Sequence, residues 1–66
     1  MQEWNVICGG RRIGSVFETR EPLARCAALS KFGASDDEYA AMNADEKSAF
    51  GANGIPPDAE FQVSPA

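Results

Sequence analysis

The sequence predicts an α+β fold of order ββαααβ, a three-stranded antiparallel sheet with three short helices, and three observations carry that prediction. Gly9-Gly10 separates two alternating runs, Pro22 and Gly33 bracket an alanine-rich apolar stretch, and two short Ser/Asn-x-x-Glu patterns precede a last alternating run at Phe61 and Val63. Sixty-six residues make one domain, residues 1–66, and no more. A chain this short buries only about 60% of its unfolded surface, so its core is thin.

The first element is a strand, Gln2 to Cys8, with Trp4 and Val6 on one face and Asn5 and Ile7 on the other. Two glycines then supply the positive φ angles of a type I′ turn, and Arg11 to Glu18 returns as the second strand. Gly14 interrupts its alternation, so Ile13 and Val16 share a face only if a bulge lies there. Pro22 to Phe32 reads as the central helix. Proline suits a first turn, either Thr19 or Glu21 is placed to cap it, and Gly33 ends it in a left-handed conformation. Apolar residues occupy nearly all sides of that helix, which predicts a sheet on one side and further helices on the other.

Ser35-Asp-Asp-Glu38 fits a capping box and starts a short helix to about Met42, with Tyr39 and Met42 inward. Asn43-Ala-Asp-Glu46 repeats the pattern and starts a third helix, Ala44 to Phe50, stopping at Gly51; one continuous helix over 36–50 is the competing reading. A loop with Pro56-Pro57 leads to the last strand, and Ser64-Pro65-Ala66 is expected to fray. Aromatic residues bury the most area per residue, so Trp4, Phe17, Phe32, Phe50 and Phe61 are expected to meet in the core. Cys8 and Cys26 are expected as buried free thiols. No apolar run approaches a spanning length and the start lacks signal-peptide character, so a cytoplasmic location is expected.

Chemistry is limited by what the composition lacks. There is no histidine, and the two cysteines are not in the paired spacing of a zinc site. Neither catalysis, a cofactor nor a metal is therefore expected. Gly9 to Ser15 departs from the phosphate-loop pattern and lies within a hairpin, so its glycines read as turn residues. Arg11 and Arg12 are expected to pair with neighbouring glutamates and not to grip nucleic acid, because the chain carries a net charge of −4.

The charge is polarised. Residues 1–35 hold five basic against three acidic residues, whereas 36–66 hold seven acidic residues against Lys47 alone. Those seven are Asp36, Asp37, Glu38, Asp45, Glu46, Asp58 and Glu60. Acidic residues favour the first turn of a helix through its dipole, which accounts for five of them without any partner. Calcium-loop spacing is absent. The functional alternative is an acidic surface offered to a basic protein partner.

Trp4-Asn-Val6, Gly9-Gly10, Ile13-Gly14, the alanine-rich helix to Phe32-Gly33 and the acidic second half together resemble small phage or mobile-element proteins. Among these the chain is similar to anti-CRISPR inhibitors of type I-C CRISPR-Cas systems. That class shares no diagnostic motif, so no binding residue transfers by position. The resemblance implies a monomer that blocks target-DNA recognition without catalysis, its partner being the large DNA-recognising subunit of the effector. The seven acidic residues would then stand in for DNA phosphates. A different class of function is an adaptor that pairs an exposed sheet edge with a partner.

Overall fold

The computed structural model describes residues 1–66, in the order β1 (Gln2–Cys8), β2 (Arg11–Glu18), α1 (Glu21–Phe32), α2 (Asp36–Ala40), α3 (Ala44–Asn53) and β3 (Phe61–Pro65). The sheet is antiparallel throughout with β1 at its centre, in the order β2-β1-β3. Gly9 and Gly10 hold φ of 63° and 77°, the two positive angles a type I′ turn requires. The β1–β2 register runs Trp4 to Val16 and Val6 to Gly14, then slips so that Ile7 faces Arg12. Ile13 is the extra residue of that bulge and packs against the core, so it shares the Val16 side as the bulge reading requires.

One sheet face carries the core. Trp4, Val6, Val16 and Val63 are buried there against Ala24 and Ala28 of α1, with Val6, Ala24 and Ala28 wholly inaccessible. Two alanines let the helix lie close to the strands. Gly14 permits the same closeness at the helix end, because a Cβ there would sit 2.3 Å from Cζ of Phe32. The Trp4 indole N–H donates to the Glu18 carbonyl at 3.1 Å, so its polar end is satisfied as its rings are buried.

Of the five aromatic residues expected to meet in the core, Trp4 is buried there and Phe32 and Phe61 pack against it, whereas Phe17 and Phe50 do not join them. Phe17 pairs across from Glu3 on the face opposite Trp4 and Val16 and is 60% exposed. Adjacent strand residues point to opposite faces, so burying Val16 turns Phe17 outward. Phe50 packs instead on Tyr39, ring centroids 5.9 Å apart and edge to face. The missing member is Ile55, which is 2% exposed and donates its N–H to the Phe32 carbonyl at 2.9 Å.

Several boundaries differ from expectation. Arg20 is the N-cap of α1 and makes no side-chain capping bond, so neither Thr19 nor Glu21 fills that role. Gly33 is extended (φ −84°, ψ 168°), not left-handed, because it forms a parallel bridge with Ile55. Helix α3 continues through Gly51 to Asn53 and is capped by Gly54, on which Phe50 sits. The break at 41–43 excludes a single helix over 36–50. The C-terminus is tied down, since the Ala66 N–H donates to the Glu3 carbonyl at 3.0 Å.

Helices α2 and α3 do not cover the outer side of α1. Helix α1 packs on β2 and β3, and α3 leans on β2. The chain measures 37 × 20 × 15 Å with a radius of gyration of 11.9 Å. About 10.8 Å is expected for a compact chain of this length, so α2–α3 forms an arm that meets the sheet at β2 without covering it. No helix is long and apolar enough to cross a membrane.

Candidate functional site

The arm begins at two capping boxes, and these decide which carboxylates are available. In α2 the Ser35 hydroxyl accepts from the Glu38 N–H and the Glu38 carboxylate accepts from the Ser35 N–H, each at 3.1 Å. In α3 the Asn43 side chain accepts from the Glu46 N–H at 2.8 Å, and Glu46 accepts from the Asn43 N–H at 3.1 Å. Glu38 and Glu46 are thus structural. The Ser35 N–H, and after it the Ser35 hydroxyl, hold the Glu38 carboxyl below the usual range, because hydrogen bonds to the charged form favour it.

Asp36, Asp37 and Asp45 occupy the same first turns, are exposed, and are left out of both capping boxes. Their charges point to solvent. Asp58 and Glu60 are exposed in the segment before β3, so the structure does not merge all seven acidic residues into one cluster. Glu60 belongs to a cleft of about 600 Å³ that it lines with Gly9, Gly10, Arg25 and Phe61. No three Asp, Glu or Cys side chains converge as a metal-holding group. Cys8 and Cys26 are free thiols but not the buried pair expected: Cys8 is half-buried, and Cys26 is exposed because it lies on the side of α1 away from Ala24 and Ala28.

The cations do not pair with glutamates as the sequence reading expected. Arg11 donates to the Ala52 carbonyl, Arg12 to the Asn5 side chain at 2.8 Å, Arg25 to the Phe61 carbonyl at 3.2 Å and Lys31 to the Ser15 carbonyl at 3.1 Å. Lys47, the one cation of the arm, lies over the Tyr39 ring at 5.2 Å. These cations satisfy carbonyls, an amide and ring faces, and none of them pairs with a carboxylate of the arm.

Arg25 and Lys31 take up positions that the sequence did not reveal. Arg25 reaches across one edge of the sheet to β3 while stacking 4.5 Å over Phe61, and Lys31 reaches across the other edge to β2. Each occupies an edge carbonyl that an incoming strand would need. Pro65 further removes an N–H from β3. Their six-residue separation on a helix was visible, but the strand each one reaches depends on how the helix lies across the sheet. Comparison with protein-family models, curated proteins and solved structures finds no match to this chain.

Proposed function

We propose that the chain is a non-catalytic inhibitor of the anti-CRISPR kind, which binds a type I-C effector complex and occupies the basic surface that reads target DNA. The observation that carries this reading is the arm. Asp36, Asp37 and Asp45 stand exposed on α2 and α3, their backbone fixed by neighbouring capping boxes and their charges not drawn into them. Fixed carboxylates compete with DNA for lysine and arginine, since both displace the same counterions. Asp58 and Glu60, exposed in the separate segment before β3, play the lesser part. The sheet-edge adaptor loses support, because Arg25, Lys31 and Pro65 blunt the two edges.

The test is a gel shift of target DNA by purified type I-C effector, with the chain added before the DNA. Loss of the shifted band is expected. The triple variant Asp36→Lys, Asp37→Lys, Asp45→Lys should need about tenfold more protein or worse for the same effect, and inhibition should fade with added salt. Glu38 and Glu46 stay untouched in that variant because they hold the helix starts. Equal inhibition by the variant removes the mimicry mechanism; an unshifted affinity of effector for DNA removes the inhibitor reading for this subtype.

A further inference from the structure

We infer that Asn53–Gly54 is a self-processing site, at which the Asn53 side chain closes onto the Gly54 nitrogen and sheds ammonia. The chain has three asparagines, and the structure treats them differently. The Asn5 side-chain oxygen accepts from Arg12 Nε at 2.8 Å, and the next residue, Val6, is β-branched and wholly buried in the central strand. The Asn43 side chain is held at the start of α3 by the Glu46 N–H. Asn53 ends α3, is exposed, has neither kind of bond, and is followed by a glycine.

The attack needs a backbone nitrogen that the side chain can reach. Glycine has no Cβ to bar the approach. The Gly54 N–H is also uncommitted. The cap N–H of α1 returns to Leu29 and that of α2 to Asp37 and Tyr39, whereas that of Gly54 returns to no helix carbonyl. The end of α3 thus lacks the backbone bond that closes the other two helices, and its last turn opens the more readily. Opening matters, because the helical backbone at Asn53 holds its side chain away from the Gly54 nitrogen.

The step balances with water as its only co-reactant. The Gly54 nitrogen bonds to Asn53 Cγ, the C–N bond of the side-chain amide breaks, and the Gly54 proton leaves with the NH2 group as ammonia. Water then opens the five-membered imide at either carbonyl. One product has aspartate at position 53. The other, isoaspartate, carries the main chain through the former side chain and lengthens it by one carbon. Both products act on the base of the arm. Aspartate places a negative charge at the end of α3, where the helix dipole disfavours it. Isoaspartate adds its carbon beside Gly54, where space is short: a Cβ on Gly54 would sit 2.6 Å from Phe50 Cε2. The next residue is Ile55, whose N–H bond to the Phe32 carbonyl clasps the arm. The reaction is therefore a one-way loosening of the arm, and it stands apart from the acidic-arm reading because it concerns the chain alone.

Incubation of the intact chain at mildly alkaline pH, beside a sample unfolded in guanidinium chloride, tests the site. Trypsin cuts after lysine and arginine and so leaves the three asparagines on separate peptides, 1–11, 32–47 and 48–66. In the folded chain, peptide 48–66 is expected to gain one mass unit, as OH replaces NH2, and to become a substrate for an isoaspartate methyltransferase. The other two peptides should keep their mass. Hydrogen exchange across α3 should quicken in the aged chain. Neither change should occur in Asn53→Gln, whose ring closure is six-membered and slow. A folded chain whose 48–66 peptide keeps its mass while the unfolded sample converts overturns the proposal, since the fold then protects the site. So does an absence of conversion in both samples, or conversion of Asn5 or Asn43 as fast as Asn53. Conversion at Asn53 with unchanged exchange in α3 removes the loosening.

Discussion

The sheet with α1 and the α2–α3 arm are held by different physics. Every buried hydrophobic side chain lies in β1, β2, β3 or α1 or is Ile55, whereas α2 and α3 contribute none. Burial of this kind is worth about 1.5–3 kcal/mol for each large side chain. The arm relies mainly on local devices, two capping boxes and the Tyr39–Phe50 ring pair, while the long-range Ile55 clasp and the Arg11 bond to the Ala52 carbonyl tie it to the rest of the chain. Non-local burial gives one region its stability, and short-range bonds give the other an ordered shape that still leaves aspartates facing water. A chain too small for a large core separates the two tasks.

Changes to the two regions should therefore have unequal effects. Trp4→Ala removes the largest core side chain and should cost about 3–5 kcal/mol, which leaves a domain this small largely unfolded in urea titrations followed by circular dichroism. Ile55→Ala comes next. It should cost about 2–4 kcal/mol and, because Ile55 joins the end of the arm to the end of α1, raise hydrogen exchange across α3 more than across β1. Asn43→Ala removes one cap and should cost about 1 kcal/mol, seen as faster exchange at the Glu46 amide with the β1–β2 amides unchanged. Equal loss of protection in both regions would break the distinction.

The smallest effect is the pH response of α2. The Glu38 carboxyl titrates below its ordinary range in the folded chain, so its contribution is fully present above the unfolded value and is lost as pH falls through the folded one. Protonation removes the charged acceptor of the Ser35 N–H. Side-chain carboxyl NMR of Glu38 should titrate at lower pH than that of reference peptides carrying glutamate, and Ser35→Ala, which removes the hydroxyl but keeps the backbone N–H, should bring it only part of the way back.

What was legible in the sequence was local. The Gly9-Gly10 turn, the bulge beside Gly14 and both capping boxes follow from a few adjacent residues, and the structure has all of them. Long-range choices were not legible. Nothing near Ile55 in the chain says that it meets Phe32, and the Gly33 backbone is extended because of that meeting. Phe17 was misplaced by weighing residue size above strand alternation. At the candidate site, the first-turn positions of Asp36, Asp37 and Asp45 were legible from the capping patterns. The structural duty of Glu38 and Glu46 followed from the same motif, yet only the hydrogen bonds separate them from the available aspartates.

Native-state hydrogen exchange over a series of low urea concentrations tests the division most directly. The account predicts two classes of amide. Those of β1 and its paired neighbours should exchange only through global unfolding, with a free energy that falls steeply with urea. Those of α2 and α3 should exchange through smaller local openings at a lower, nearly urea-independent free energy. A single class, with the arm amides as protected and as urea-sensitive as those of Val6 and Val16, would contradict it.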